Sequence, residues 1–316
     1  MRTNSPCLLT LLRMFVKIMN KKGGRSIVKI STEIGSASRL VGEQRAIEYI
    51  AKAGFDAWDF SMFEMCKYDY RERRVIKSDH PLAGKDYLKF AKKLRETGLD
   101  NGIVCNQSHA PFPTYCPEIR SHYERAIECT AEAGAKICII HPDNYKSAEE
   151  NAEIYEELIP FARSCNVKIA TENMWCWNNE LDIASRAACS HHDDFVRHID
   201  VVNDEYFVAC LDIGHAEMYG LETSAPQCIR ALAHRLQALH IHDNDLRLDS
   251  HQIPFSMKID FDAVVAALRE INYSGDLTLE ADAYLASFTA GDVSRTLEGI
   301  KNLADSAKKL RDMFNR

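Results

Sequence analysis

No stretch of this sequence is apolar for long enough to cross a bilayer, which takes about 20 residues, so no membrane partner is expected. The 11 cysteines include no Cys-x-x-Cys pair, which leaves neither a zinc ribbon nor a disulfide framework with the spacing it needs. Their odd number fits buried free thiols, and a reducing, cytoplasmic location is the expectation. Basic charge is not in excess. The net charge is −7, whereas a nucleic-acid duplex is gripped by a basic face, so no nucleic-acid partner is expected. The first β-rich run is followed by Thr32-Glu33-Ile34-Gly35-Ser36-Ala37, not by G-x-G-x-x-G, which argues against a dinucleotide-binding, doubly wound sheet. Internal repeats, low-complexity tracts and Pro/Gly/Ser-rich linkers are absent too, so the chain reads as one domain after its N-terminal arm.

What is present is length, 316 residues, and enough hydrophobic sequence, 46%, for a large core. Residues 1–26 carry Arg2, Arg13, Lys17, Lys21, Lys22 and Arg25 around the apolar Cys7-Leu8-Leu9-Thr10-Leu11-Leu12. Arg13 and Lys17 interrupt the apolar core that a signal peptide requires, so this segment is expected to be a loosely ordered extension. From residue 27 to 316, short β-rich runs alternate with helical stretches. The expected strands are Ile27–Thr32, Phe55–Phe60, Gly102–Gln107, Lys136–His141, Val167–Glu172, Phe207–Asp212, Leu236–His242 and Asp276–Glu280. Apolar residues at spacings of three and four, as in Ala46-Ile47-Ile50-Ala51, Tyr87-Phe90-Ala91-Leu94 and Phe261-Val264-Val265-Leu268, mark helices between them, and the last helix is expected over Val293–Phe314. Strand and helix repeated eight times predict an α/β fold, a single-domain (β/α)8 TIM barrel.

In such a barrel the C-terminal strand ends converge on one mouth. Six successive ends carry a His, Asp or Glu there: His109, His141, Glu172, Asp212 with His215, His240 with His242, and Glu280; Asp249 and His251 follow shortly after the seventh strand. Any one of these alone is unremarkable, since a lone strand-end histidine is usually just hydrogen-bonded and a lone acid caps a helix or faces water. All of them together are hard to ascribe to chance. Several carboxylates in one half-buried place repel each other unless a cation neutralises them. Glu172, Asp212, His240 and Glu280 offer mainly hard oxygen donors with one imidazole. That set suits one divalent metal ion, manganese foremost, with magnesium, cobalt or zinc as alternatives. His191 and His192 precede a helix and read as structural, and His80, His122, His198 and His234 as incidental.

These motifs resemble the xylose isomerase-like barrel superfamily, which holds sugar isomerases and epimerases together with endonuclease IV. The resemblance runs from about Ile27 onward. It is carried by Asp212-Ile213-Gly214-His215, by His240-Ile241-His242-Asp243-Asn244 followed by Asp249-Ser250-His251, and by Glu172-Asn173 and Glu280. It implies a metal held by Glu172, Asp212, His240 and Glu280, with the two glutamates as proton carriers and His215 on the substrate. Ketose 3-epimerases of this kind also place a glutamate and an arginine on the sugar; here those offsets hold Asn178 and Leu246, with Glu180 and Arg247 nearby. The resemblance to endonuclease IV implies a rival, a zinc phosphodiesterase whose ligand positions are matched by His109, His141, Glu172, Asp212, His215, His240, Asp249, His251 and Glu280. A barrel that binds sugar without catalysis is a third class.

The expected activity is therefore isomerisation or epimerisation of a small sugar-like hydroxy-carbonyl compound through a metal-stabilised enediolate, with Glu172 and Glu280 as acid and base. His109, His141, His215, Trp175, Asp249 and His251 are the expected substrate contacts. Aromatic residues of the mouth loops, namely Phe112, Tyr145, Trp175, Trp177, Tyr219 and Phe255, suit the apolar faces of a sugar ring. Barrel phosphate sites use backbone amides of the last two mouth loops, but residues 243–256 and 281–290 contain no glycine, which favours a carbohydrate without phosphate. A homo-oligomer would fit the superfamily.

Overall fold

The computed structural model describes residues 28–316; the extension expected over residues 1–26 lies outside them. Eight parallel strands form the centre: β1 Ile30–Thr32, β2 Ala57–Ser61, β3 Val104–His109, β4 Ile137–Ile139, β5 Lys168–Glu172, β6 Phe207–Asp212, β7 Leu236–His240 and β8 Leu277–Leu279. Ladders join β2 through β7 in chain order, and β8 pairs with β1. Single bridges, Glu33 to Asp59 and Ile241 to Leu279, connect those two sets and close the ring. A helix follows every strand: Glu43–Ala53, Tyr87–Asp100, Tyr123–Ala133, Ala148–Ser164, His192–Val202, Ala225–Leu232, Phe261–Glu270 and Thr296–Phe314.

The period-2 alternation of a strand decides what enters the barrel. Along β6, Phe207, Ala209 and Leu211 join the large core beneath the helices, while Val208 and Cys210 point inward. Along β5, Ile169 packs outward, and Thr171 is bonded to the hydroxyl of Tyr155 on the covering helix (2.8 Å), so Ala170 and Glu172 face inward. Ile139, Ala170, Val208, Cys210 and Ala238 form a small separate plug inside the barrel. The polar strand ends sit above it.

The strands stand where the sequence placed them, with changed limits. The third begins at Val104, because Gly102, with φ at +80°, belongs to the turn that ends the preceding helix. The last helix starts at Thr296, after a 3-10 turn at Val293–Arg295. Several elements were not anticipated, the helix Gly35–Val41 after β1 among them. Hairpins Lys67–Asp69/Arg74–Ile76 and Trp175–Asn178/Ile183–Arg186 decorate the loops after β2 and β5, and residues 282–289 of the presumed last mouth loop form a helix.

Candidate metal centre

The inward-facing ends of the strands bring their acids and imidazoles into two touching groups. In the first, Glu172 Oε2 lies 3.3 Å from His141 Nε2 and 3.6 Å from His109 Nε2, and those two nitrogens are 2.8 Å apart. The other Glu172 oxygen lies 3.0 Å from His240 Nδ1, which is 3.4 Å from Glu280 Oε2. In the second, Asp249 Oδ1 lies 3.1 Å from His251 Nε2 and 3.4 Å from His242 Nε2, while its Oδ2 lies 3.2 Å from His215 Nε2. Asp212 Oδ1 is 3.0 Å from His242 Nε2 and accepts the backbone N–H of His215 (2.7 Å).

Four of the rings are held from behind. His109, His215 and His251 donate through Nδ1 to the carbonyls of Ala110 (2.9 Å), Asn173 (2.9 Å) and Glu280 (2.8 Å), which turns every Nε2 toward the centre. His240 is reversed: its Nε2 meets the Asp59 carboxylate at 3.1 Å, and Nδ1 faces Glu172 and Glu280. This arrangement is the one that metal-binding imidazoles need, with the outer nitrogen donating to a carboxylate or carbonyl and the inner lone pair free.

The residues fit a cation on a second count. Asp212 Oδ2 is buried without a hydrogen-bond partner, and Glu172 Oε2 and Asp249 Oδ1, equally buried, face only imidazole nitrogens. Among the described residues no Lys or Arg pairs with Glu172, Asp212, Asp249 or Glu280. Buried carboxylates without a counter-charge are costly, so imidazolium must supply it when no ion does. Burial opposes a charge on His240, yet Glu172 and Glu280 hold its pKa well above the ordinary value. Burial likewise opposes His215, and Asp212 and Asp249 push it up to about 10. Glu172 resists its own burial: His240, His109 and His141 keep it well below the usual carboxylate range. Glu280 goes the other way. Burial pushes it up to about 7, helped by Glu172 and opposed by His240.

Above the two groups opens a cavity of about 370 Å³, with His109, His141, Glu172, His215 and Glu280 on its floor and Phe63, Phe112, Met174 and Trp175 in its walls. The family model described as a xylose isomerase-like TIM barrel matches residues 47–313. The chain belongs to this family. Within it, a protein of uncharacterised function from Methanocaldococcus jannaschii is 26% identical over 253 residues, 74% of this chain and 78% of the relative. Among solved structures, a D-psicose 3-epimerase in the presence of D-fructose shares the xylose isomerase-like fold with a TM-score of 0.65 and 16% identity, over 91% of this chain and 100% of that one. An IolI protein with a bound zinc atom gives a TM-score of 0.63 and 17% identity, over 90% and 99%. At such identities the likeness is one of fold.

On this xylose isomerase-like barrel, every candidate site residue named from the sequence reaches the mouth. Glu172, His240 and Glu280 meet directly. Asp212 is in register with His240 and feels the charge of Glu172, but its carboxylate turns to His242 and His215. His109 and His141 join the first group, His215, Asp249 and His251 the second, and Trp175 Nε1 donates to Asp249 (3.2 Å). Among the aromatic residues, Phe112 and Trp175 line the cavity and Tyr145 a neighbouring hollow. Trp177 packs beside Trp175, Tyr219 is exposed, and Phe255 is a correction: it packs against Phe261 and Lys309 and does not line the cavity. Sequence reasoning gave no role to His242 or Asp59. The first was signalled by standing two residues after His240, on the same face of an extended chain. The second was signalled by being an acid inside the apolar run Ala57-Trp58-Asp59-Phe60.

Proposed function

We propose that this chain is a divalent-metal-dependent enzyme that isomerises or epimerises a small, unphosphorylated sugar or sugar-like hydroxy-carbonyl compound. The observation that carries the reading is that Glu172 and Glu280 reach one imidazole nitrogen, His240 Nδ1, from strands three positions apart, on the floor of a cavity of sugar size. Glu172, Asp212, His240 and Glu280 would hold the ion, manganese foremost and magnesium, cobalt or zinc as alternatives. A bound ion supplies Lewis acidity to adjacent oxygens of the hydroxy-carbonyl group. Glu172 takes the proton from the carbon beside the carbonyl. The C–H electron pair becomes a carbon–carbon π bond, and the carbonyl oxygen gains the charge. Glu280 returns a proton to the other face of that carbon for an epimer; for an isomer the proton goes to the former carbonyl carbon while the hydroxyl proton of the first carbon passes to the former carbonyl oxygen. His109, His141, His215, Asp249 and His251 contact substrate hydroxyls, and Trp175 offers the ring an apolar face. The sugar epimerase and the zinc-bound protein of the same fold support this reading.

A second reading, a zinc phosphodiesterase of the endonuclease IV kind, is favoured by one observation. The histidines and acids offer three donor sets, His109/His141/Glu172, His109/His240/Glu280 and His215/His242/Asp249/His251, the first two sharing His109 and each within 4.8 Å. Against it, neither Lys nor Arg lines the cavity, where a nucleic-acid backbone would require them. Elemental analysis of the purified protein, followed by a keto-sugar panel, tests both. One ion per chain and turnover of a keto-sugar are expected; three zincs and cleavage of abasic DNA would establish the rival. Glu172→Gln and Glu280→Gln should each lower kcat about 100-fold or more. Full turnover in both variants overturns the proposed roles.

A further inference from the structure

The main cavity continues past one of its walls. Phe112, His141 and Met174 also line a second hollow of about 230 Å³, whose remaining walls include Tyr70, Tyr115 and Tyr145. Three loops build it. The hairpin after β2 supplies Tyr70 and also Tyr68, which packs edge-on against both Tyr70 (5.2 Å) and Tyr115 (5.7 Å). The segment after β3 supplies Phe112 and Tyr115. It is pinned by Thr114 Oγ1 donating to the His141 carbonyl (2.6 Å) and by Arg120 donating to the Thr114 carbonyl (2.8 Å). Tyr145, from the loop after β4, stands 6.4 Å from Tyr115.

Two properties of this annex point to a ligand. Tyr70 is 57% exposed and Tyr145 78%, and both line this hollow, so large rings are left in water around one cavity, where clustered apolar exposure marks a contact surface. The lining contains no Lys, Arg, Asp or Glu, so it has ring faces and hydroxyl edges to offer but no partner for a charge. A separate small-molecule site usually needs about 300 Å³ or more. The annex is smaller than that and shares three wall residues with the main cavity, which makes it an extension and not a site of its own.

We infer that the annex is a second subsite, holding an uncharged ring joined to the sugar that occupies the main cavity. The substrate class is then a glycoside whose carbonyl is a ketone on a ring carbon other than the anomeric one, bearing either an aromatic aglycone or a second sugar ring. The step between the two hollows is short: His141 lines both, and its Nε2 lies 3.3 Å from the Glu172 carboxylate. The identity of the first ring rests on the sugar-converting function proposed above. The preference for a second ring rests on the annex alone.

The test uses the full-length, metal-loaded protein and measures binding of methyl glucoside, phenyl glucoside and cellobiose by calorimetry, beside turnover of free keto-sugars. Phenyl glucoside or cellobiose should bind about tenfold more tightly than methyl glucoside, and the better of the two identifies the ring. Tyr115→Ala and Tyr145→Ala should each remove most of that preference, weakening phenyl glucoside or cellobiose far more than methyl glucoside; the exposure of Tyr145 makes it the variant least able to disturb folding. Equal affinity for all three probes overturns the inference, and so does a tyrosine variant that weakens all three alike. Turnover of free sugars without ring preference defeats the annex alone. Ring preference without turnover of any keto-sugar supports the annex and defeats the enzymatic reading.

Discussion

Asp59 Oδ2 stands 3.1 Å from His240 Nε2, beneath the ring whose other nitrogen faces Glu172 and Glu280. The same oxygen accepts from Gln107 Nε2 (2.9 Å), so the carboxylate is fixed before it fixes the histidine. A one-residue shift of register between β2 and β3 falls between Trp58 and Asp59. Such irregularities re-aim a side chain.

The first prediction follows from that contact. Asp59→Ala leaves His240 and Gln107 without their shared acceptor and frees the ring to turn. Metal affinity should fall about 10- to 100-fold. Asp59→Asn keeps an acceptor oxygen and should lose less. Competition with a fluorescent chelator measures both, and unchanged affinity in Asp59→Ala would show that the carboxylate does not position the ring.

A second prediction concerns protons. In the metal-free protein Glu172 and Glu280 hold His240 protonated at neutral pH, and burial pushes Glu280 up to about 7, so both ligands carry protons there. A metal ligand must present a lone pair, so binding expels protons, and metal affinity rises with pH through the neutral range. Adding the ion to weakly buffered protein should acidify the solution. No release, or affinity that falls as pH rises, would contradict the ligand set.

Ion removal should be visible as stability. An ion present at about 100 times its Kd adds about 2.7 kcal/mol to folding if only the native state binds it. A chelator should therefore lower Tm, and His240→Ala should abolish most of the difference between loaded and stripped protein. Calorimetry with and without chelator decides it.

Gly214 carries the fourth prediction. A Cβ at this position would come within 1.9 Å of the His242 ring, and the Gly214 carbonyl accepts from Asn244 Nδ2 at 2.8 Å. His242 is fully buried and has nowhere to retreat. Gly214→Ala should cost about 1–3 kcal/mol by overpacking and separate His242 from Asp212. Thermal melts and metal titration of the variant test both effects.

Much of this was legible in the sequence, and the reason is local. Glu172 and Asp212 end strands whose earlier residues, Ile169-Ala170-Thr171 and Phe207 to Leu211, are plainly strand-forming, so the barrel rule alone puts both acids at the mouth. Asp249 was harder, because its contacts with His215 and Trp175 span 34 and 74 residues and depend on a loop path that no periodicity records. The hairpin strands Lys67–Asp69 and Arg74–Ile76 have only three residues each, none of them buried, too short for alternation to register. The helix over residues 282–289 was missed because the segment directly after Glu280 was read as the last mouth loop.

The small plug of Ile139, Ala170, Val208, Cys210 and Ala238 closes the barrel from below, directly under the acids and imidazoles. A vessel stoppered at one end has a single doorway. Whatever leaves goes out the way it came in, so a product that lingers there keeps the next molecule waiting outside.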